Sequence, residues 1–316
     1  MTAGAAPRIA AVVPTYDRGA LVVRAVESVL AQTRPADEIV VVDDGSTDDT
    51  LERLATLPAD RVRVVSQANA GAAAARNRGV AESSCEWVAF LDSDDVWVPR
   101  HLELVAAAID ATAGAADLYF GDTTFATPDG GESSWWREAG LAISRPYELV
   151  ADAAAWVFLP VHPMLLQASV VSRRRFLQCG GLWTSLRLRE DTHFFFKIGV
   201  GRPACAVAGA GAQMTADGSG GRLTELHSPR SLSYWWDTVY MYGDLLAALD
   251  AASPELRDRL RRRLAVGHWR MARLLAERSQ WQQAALSLGR ALAAHPTEVP
   301  RHLVGAAGHR LARIRR

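Results

Sequence analysis

The chain has 316 residues, of which 49% are hydrophobic and 22% are charged, so we expect one large domain or two smaller ones and not global disorder. Three cysteines (Cys85, Cys179 and Cys205) are odd in number and widely spaced. This spacing argues against a disulfide framework or a zinc-binding pattern and favours a reducing cytoplasm. The formal net charge is zero, and no nucleic acid partner is expected.

Charge is nevertheless distributed unevenly along the chain. From Arg257 to Arg316 there are 14 arginines and three acidic residues, a net charge of +11 that leaves −11 for the rest. Such a basic tail suggests contact with an anionic surface, with lipid headgroups at the inner face of the membrane as the functional interpretation. The alternative, which is the commoner case, is a solvated helical face.

No segment of the sequence predicts a membrane span or a leader. Asp17 and Arg18 interrupt the early apolar run, so we expect no signal peptide. The apolar stretch 151–171 contains two prolines, an aspartate and a histidine, which a spanning helix of about 20 residues would not accommodate. We therefore expect a cytoplasmic protein, peripheral at most to the membrane.

Buried strands and amphipathic helices alternate through the first 120 residues. Short apolar runs predict the strands, apolar residues at helical spacing predict the helices, and Ser46 or Thr47 is expected to cap the second helix. This alternation predicts a parallel sheet with right-handed crossovers. The predicted strands are 9–13, 39–42, 61–65, 87–91 and 118–120, and the predicted helices are 21–30, 47–57, 72–80 and 101–109.

The pattern loosens after residue 121. Trp135 and Trp136 are predicted to lie in a loop, and regular structure is expected again at 170–176 and 191–200. From residue 228 onward the sequence predicts helices alone. We therefore expect an α/β domain over 1–227, with halves at about 1–120 and 121–227, followed by an all-helical extension over 228–316.

A dense cluster of carboxylates follows the fourth strand. Asp92, Asp94 and Asp95 come directly after the apolar run that ends at Leu91. Carboxylates so close together repel one another, so a cation is expected between them. Oxygen ligands suit Mg²⁺ or Mn²⁺, which can also bridge to substrate phosphates. The carboxyl end of a strand in an open α/β sheet is where ligands bind.

Five segments, taken together and in order, resemble the family 2 nucleotide-sugar glycosyltransferases, whose fold is called GT-A. The likeness covers roughly the first 200 residues and does not reach the helical extension. The resemblance implies a Rossmann-like, mostly parallel sheet flanked by helices. It also implies transfer of a sugar from a nucleotide diphosphate donor to an acceptor hydroxyl, with inversion at the anomeric carbon. The matching segments are 13–18 (VPTYDR), 39–48 (IVVVDDGSTD), 69–79 (NAGAAAARNRG), 90–95 (FLDSDD) and 189–191 (RED).

The resemblance also implies roles for individual residues. Asp44 would hold the nucleotide base, usually uracil. Asp92 would bind the ribose or a bridging water and, with Asp94, belong to a Mn²⁺ or Mg²⁺ site. Asp191 would be the general base. The remaining implied contacts are Pro14 and Tyr16 with the base, Arg76 with the base or phosphates, Ser93 with the donor and Glu190 as the neighbour of the general base.

The chemistry of the residues supports the same assignment. A departing diphosphate needs its charge neutralised, and an acceptor hydroxyl needs a carboxylate to take its proton. Three phenylalanines after Asp191 predict a partly apolar surrounding that would raise its pKa. A histidine that many relatives carry downstream is absent from the segment 214–222, which leaves the third metal ligand open and makes Arg222 a candidate phosphate contact.

Two other functions fit parts of the sequence. A haloacid-dehalogenase-type phosphatase also uses an Asp-x-Asp after a buried strand, but there the pair usually ends the first strand, and here it ends the fourth. A non-catalytic nucleotide-sugar-binding scaffold is a third possibility, against which the intact Asp92, Asp94 and Asp191 argue. The first strand–helix turn, Pro14 to Gly19, lacks the glycine spacing of a dinucleotide-binding oxidoreductase.

Overall fold

The computed structural model describes residues 6–127, 129–215, 231–248 and 254–298. By its internal contacts the chain divides into two compact units, one of residues 1–185 and 190–218 and one of residues 186–189 and 219–316. The predicted domain boundary at 227, Arg222, and the terminal arginines after 298 lie outside the described residues.

The first unit is built on a twisted sheet whose ten strands were in part predicted. The first, second and fourth strands are largely apolar, as expected for strands buried on both faces, whereas the third is half exposed. The strands are β1 (Ile9–Thr15), β2 (Glu38–Asp43), β3 (Val62–Ser66), β4 (Trp87–Phe90), β5 (Asp95–Trp97), β6 (Leu118–Ala126), β7 (Glu132–Ser134), β8 (Tyr147–Val150), β9 (Ser169–Ser172) and β10 (Ala204–Met214).

Helices flank this sheet, and the first four lie where the apolar spacing predicted them, with shifts of a few residues at their ends. In α1, Val22, Ala25, Val26 and Val29 form the buried face. The helices of this unit are α1 (Gly19–Leu30), α2 (Thr50–Leu54), α3 (Ala72–Glu82), α4 (His101–Ala111), α5 (Trp135–Ala139), α6 (Ala154–Val157), α7 (Arg173–Gln178) and α8 (Glu190–Gly199).

The strand order places the end of β1 at a topological switch point. The order is β3-β2-β1-β4-β9-β6-β10-β5, and β3, β2, β1 and β4 are mutually parallel. The chain moves outward from β1 to β2 and β3, and then crosses to the other side of β1 to form β4. Ligands of open α/β sheets bind in the crevice at the carboxyl ends of strands on either side of such a point. The predicted α/β class with a mostly parallel sheet is confirmed.

Two local predictions were wrong. Helix α2 begins at Thr50 with Asp49 as its N-cap, because Ser46 Oγ accepts from the Asp17 N–H and belongs to the preceding loop. Trp135 and Trp136 open helix α5, whose Ser134 cap accepts from the Arg137 N–H.

Close packing of α3 on β1 sets the position of the residues that α3 carries. Gly79 faces Val12 so closely that a Cβ on it would lie 2.3 Å from Val12 Cγ1. The absence of a side chain therefore allows α3 to approach the central strand.

The second unit consists, where it is described, of three helices and the short segment 186–189. Trp269 and Ala291 form its buried contact, and Ser287 Oγ donates to the His268 carbonyl at 3.0 Å. Prediction of helices after residue 228 is confirmed for the described residues. The helices are α9 (Leu232–Ala248), α10 (Pro254–Glu277) and α11 (Trp281–Ala294).

The arginine run predicted to contact a membrane lies on α10. Arg262 already bridges two carboxylates, Asp258 at 2.7 Å and Glu298 at 3.0 Å, and Arg270 packs over the Trp269 ring. Among the described residues no helix combines the length and the apolar character that a membrane span needs. Membrane contact through this tail stays a prediction.

His101, the first residue of α4, is fully buried beneath the sheet. Its ring lies 4.8 Å from the Trp97 ring, and among the described residues neither ring nitrogen has a hydrogen-bond partner. Burial therefore penalises the imidazolium and lowers the pKa of His101 to about 3.

We expect this histidine to destabilise the fold in acid. Unfolding returns the His101 pKa to about 6.5, so the unfolded chain binds the extra proton and the stability is lost as the pH falls below about 6.5. At pH 5 the loss is about 2 kcal/mol, and His101→Leu should remove it. Denaturant titrations of both proteins at pH 8 and pH 5 measure this; an equal difference between the two proteins at both pH values would contradict the account.

Candidate functional site

The predicted site residues lie at the carboxyl ends of β1, β2 and β4 and at the start of α8. Pro14 pairs with Val42 in the β1–β2 ladder, and the Asp44 N–H donates to the Thr15 carbonyl at 2.9 Å. The Leu91 N–H donates to the Val12 carbonyl, which places the segment from Asp92 onward beside the end of β1. The strand order thus brings residues from separate motifs to one edge of the sheet.

Asp44 is buried and organises the entry to α3. Its Oδ1 accepts from Gln67 Nε2 at 2.8 Å and from the Ala70 N–H at 2.9 Å, and its Oδ2 accepts from the Gly71 N–H at 2.7 Å. Gly71 has a φ of +92°, which a side chain would strain. Asp43 serves the turn instead, because its Oδ1 accepts from the Ser46 N–H at 3.3 Å. The carboxylate of Asp44 therefore fixes the segment 67–71 while Oδ2 keeps a further acceptor position.

Asp17 joins the loop after β1 to the loop after β2. Its Oδ1 accepts from the Thr47 N–H at 2.7 Å and from the Asp48 N–H at 3.3 Å, and its backbone φ is +49°. Tyr16, directly before it, is 46% exposed at the rim of the site. The negative charge of Asp17 and a hydrogen bond to it raise the pKa of the Tyr16 phenol.

Arg76 is the buried centre of the site. Its Nη2 donates to Asp92 Oδ1 at 2.5 Å and its Nη1 donates to Glu190 Oε1 at 3.1 Å, and the Arg76 side chain is only 9% exposed. Burial opposes the charge, but the attraction of Asp92 and Glu190 exceeds this penalty and raises the pKa of Arg76. One cation thus ties the end of β4 to the start of α8.

Helix α3 connects these two networks. Asp44 binds the backbone at its N-terminus, and Arg76 lies about one and a half turns further along the same helix. Helix α3 therefore links the residue predicted to contact the base with the residues predicted to bind the metal and the acceptor. Arg76 was predicted to contact the donor; the structure gives it two carboxylate partners inside the protein.

The two carboxylates at the start of α8 have different surroundings. Desolvation by burial, with the negative charge of Asp191 next, raises the pKa of Glu190 to about 7, although Arg76 opposes the rise. Asp191 Oδ1 accepts from the N–H of Thr192 at 2.5 Å and from its hydroxyl at 3.2 Å. Both acids lie in the first turn of α8, where the helix dipole favours negative charge. Thr192, His193 and the three phenylalanines that follow are buried.

The segment 92–95 offers oxygen ligands of the kind that a hard divalent cation requires. Asp92, Ser93 and Asp94 are partly exposed, whereas Asp95 is buried at the start of β5. In the part of the chain that the structure describes, no three His, Cys, Asp or Glu side chains lie close enough to form a complete metal cage. Mg²⁺ usually takes one or two carboxylates and completes its shell with water and substrate phosphates. Asp94, with Asp92 beside it, fits that mode of binding.

Two site features were not predicted. The clamp made by Asp17 has a general signal in the sequence, since aspartate side chains in loops often accept hydrogen bonds from backbone N–H groups and tolerate a left-handed backbone. The bridge made by Arg76 has no signal in the local sequence, because its two partners lie 16 and 114 residues away along the chain.

The sequence of much of the first unit matches a known protein family. Residues 10–154 match the family described as glycosyl transferase family 2. The matched region thus has the sequence features of that family. The match covers β1 to β4 with the residues around Asp44, Arg76 and Asp92. The predicted family resemblance is confirmed.

Two curated relatives cover different shares of the chain. An uncharacterized glycosyltransferase of Nostoc sp. is 43% identical over 101 residues, which are 31% of this chain and 31% of that protein. The succinoglycan biosynthesis protein ExoO of Rhizobium meliloti is 36% identical over 188 residues, 58% of this chain and 53% of that protein. The chain therefore spans a third to a half of these relatives.

Two solved structures share the fold over nearly the whole chain. S. aureus TarS (residues 1–349) superposes with a TM-score of 0.64 at 19% identity, covering 92% of this chain and 82% of that one. The mannosyltransferase PcManGT from Pyrobaculum calidifontis has a TM-score of 0.57 at 22% identity, covering 97% and 80%. TarS has been solved with UDP and with UDP-GlcNAc, and PcManGT with GDP-Man and Mn²⁺. At this identity the likeness shows the fold alone, which is the GT-A architecture.

Proposed function

We propose that this family 2 glycosyltransferase moves a sugar from a nucleotide diphosphate donor, UDP-linked, to an acceptor hydroxyl with inversion at the anomeric carbon. The observation that carries the proposal is the Asp92–Arg76–Glu190 bridge, because it brings the Asp-x-Asp segment and the α8 acids to one edge of the sheet. TarS and PcManGT, which share the fold, are both known with nucleotide sugars bound. Because PcManGT is known with a GDP sugar, UDP and GDP sugars are the two donor classes to compare.

The loops after β1 and β2 would bind the nucleotide of the donor. Asp44 Oδ2 already accepts from the Gly71 N–H, and its second lone pair would accept from the ring N–H of uracil. The exposed Tyr16 ring would cover the base, next to the Pro14 backbone. Asp17 and Ser46 hold these loops together before the donor arrives, so little ordering is left to occur on binding.

The segment after β4 would stabilise the diphosphate leaving group. Asp94 and Asp92 would hold Mn²⁺ or Mg²⁺, and a bound divalent ion supplies positive charge to the diphosphate as the glycosidic bond breaks. Arg76 orients Asp92 and, being occupied by two carboxylates, acts on this segment and not directly on phosphate. Ser93 would contact the donor between the two aspartates.

The residues at the start of α8 would activate the acceptor hydroxyl. Thr192 holds Asp191 Oδ1 through two hydrogen bonds, and we assign the other carboxylate oxygen to removal of the acceptor proton. Glu190, whose carboxylate accepts from Arg76, steadies the turn that presents Asp191. We further propose a glycan or lipid-linked acceptor and a role in synthesis of a polysaccharide or another glycoconjugate, for which the likeness to ExoO is the support.

A donor screen with purified protein tests this function. We expect release of nucleotide diphosphate from one UDP or GDP sugar, stimulated by Mn²⁺ and lost on chelation. Asp94→Asn should lower it about 100-fold, since loss of a metal ligand removes charge stabilisation of the leaving group. Asp60→Asn, at an exposed aspartate of the turn before β3, is the matched control and should retain full activity.

Two results of the screen would contradict the proposal. Hydrolysis of a phosphomonoester without turnover of any nucleotide sugar would indicate the phosphatase alternative. Binding of a nucleotide diphosphate without turnover across a range of acceptors would indicate a non-catalytic scaffold.

A further inference from the structure

His162, in the loop between α6 and β9, contacts the beginning of α8 in the first unit. Its ring packs edge-on against the Phe195 ring, with the two centroids 5.7 Å apart. Its Nε2 lies 3.3 Å from Thr192 Oγ1, within hydrogen-bond distance. Thr192 and Phe195 are three positions apart on α8 and therefore share one face of the helix. The imidazole covers that face, next to the turn that carries Asp191.

The backbone of His162 is fixed as well as its ring. The indole N–H of Trp135 donates to the His162 carbonyl at 2.9 Å. The Trp135 ring in turn packs against the ring of Phe125 on β6, with the centroids 6.3 Å apart. Pro163 follows directly, and a residue before proline is restricted to extended backbone. The imidazole therefore has a defined position relative to Thr192.

Thr192 connects this imidazole to Asp191. The Thr192 hydroxyl lies 3.2 Å from Asp191 Oδ1, which also accepts from the Thr192 N–H. An ionised carboxylate can only accept, so the single hydroxyl hydrogen of Thr192 belongs to the bond with Asp191. The hydrogen of the other bond must then be on His162 Nε2, with the hydroxyl oxygen as acceptor. The chain of hydrogen bonds runs in one direction, from His162 through Thr192 to Asp191.

We propose that His162 is a positioning residue that orients the general base Asp191 through the Thr192 hydroxyl. This inference rests on the proposed function, which assigns removal of the acceptor proton to Asp191. A hydrogen bond received from the imidazole makes the Thr192 hydroxyl a better donor, because bonds in such a chain polarise one another. Oδ1 of Asp191 is thereby held in place, and Oδ2 keeps a constant direction towards the acceptor. His162 itself touches neither donor nor acceptor in this assignment.

The hydrogen bond from His162 to Thr192 can be tested without any substrate. In protein with ¹⁵N-labelled histidine, the hydrogen on His162 Nε2 gives a resonance that is identified by its loss in His162→Gln. We expect this resonance to move upfield in Thr192→Val, which keeps the shape of the side chain and removes the acceptor. Thr56→Val, at an exposed threonine just after α2, is the matched control and should leave it in place. An Nε2 without hydrogen, or a resonance that Thr192→Val does not move, would overturn the chain.

Turnover measurements connect this chain to catalysis. We expect His162→Leu to lower kcat about 10-fold with the donor KM within about twofold, since displacing a catalytic group slightly has effects of up to about 100-fold. His162→Gln, whose amide nitrogen can take the place of Nε2 as a donor, should keep kcat within about threefold of wild type. His162→Asn, whose amide ends one bond short, should behave like His162→Leu and serves if that protein fails to fold.

A double-mutant cycle shows whether His162 acts through Thr192. Thr192→Val should lower kcat, and adding His162→Leu or His162→Asn should lower it no further, because the chain is already broken. Losses that multiply would overturn the positioning role, as would kcat within about twofold of wild type in both single His162 variants. A wild-type protein inactive with every donor would instead contradict the proposed function, whereas the Nε2–H resonance decides the hydrogen bond independently.

Discussion

Asp191→Asn is expected to lower kcat for sugar transfer about 10²- to 10⁴-fold, the range over which general-base catalysis contributes. The amide keeps the shape of the side chain and its contact with Thr192 but cannot take the acceptor proton. Because the residue does not contact the donor in our assignment, the Kd for the nucleotide diphosphate should change less than twofold. Initial rates at saturating donor, together with a calorimetric titration of the nucleotide, measure both quantities.

Two further variants make this result specific to Asp191. Asp110→Asn changes an exposed acid on α4 and should leave kcat unaltered. Glu190→Gln should retain more activity than Asp191→Asn, since Glu190 is already engaged by Arg76. If the order were reversed, Glu190, with its pKa raised towards neutrality by burial, would be the base. Full transfer activity in Asp191→Asn would refute the assignment outright.

Arg76→Met should destabilise the protein by about 3 kcal/mol at pH 8, since removing one partner of a buried ion pair leaves an uncompensated charge. Asp92 and Glu190 would both lose a donor, and the Glu190 side chain is only 15% exposed. Denaturant titration gives the free energy of unfolding. Arg78→Met, on the same helix, breaks only the exposed pair with Glu82 and should change it by less than about 0.5 kcal/mol.

The effect of Arg76→Met should also depend on pH, with a sign that follows from Glu190. Without the arginine, the pKa of Glu190 rises further above about 7, so at pH 8 this carboxyl must either stay ionised without its partner or take up a proton against the solution pH, whereas at pH 5.5 it is protonated with or without Arg76. Burying Glu190 in the Arg76→Met protein therefore costs less free energy at pH 5.5 than at pH 8. The difference in the free energy of unfolding between Arg76→Met and wild type should shrink accordingly. An Arg76→Met protein within about 1 kcal/mol of wild type at pH 8 would contradict the central place of this residue.

The sequence predicted the parallel half of the sheet well and the antiparallel half poorly. β1, β2 and β4 are apolar along their length because both faces are covered, and such runs are easily recognised. β10 is rich in alanine and glycine, and its ladder with β6 shifts register between Ala206 and Gly211. β5 and β7 have three residues each. Neither small side chains nor three-residue strands produce a period that can be detected.

In the candidate site too, the sequence predicts some features and not others. Asp44 and Asp92 follow apolar strands, so their position at the sheet edge follows from local sequence and parallel topology. The bridge that Arg76 makes to Asp92 and Glu190 depends on contacts between residues 16 and 114 positions apart. Local patterns carry no signal for such contacts.

A crystal structure of the protein with nucleotide diphosphate and Mn²⁺ tests most directly whether these residues form one donor site. We expect the base against Asp44 and Tyr16, and the diphosphate with its metal against Asp92 and Asp94. A nucleotide bound at the opposite edge of the sheet, in the open depression lined by Asp37, Arg61, Arg63 and Ser84 at the amino ends of β2 and β3, would contradict the account.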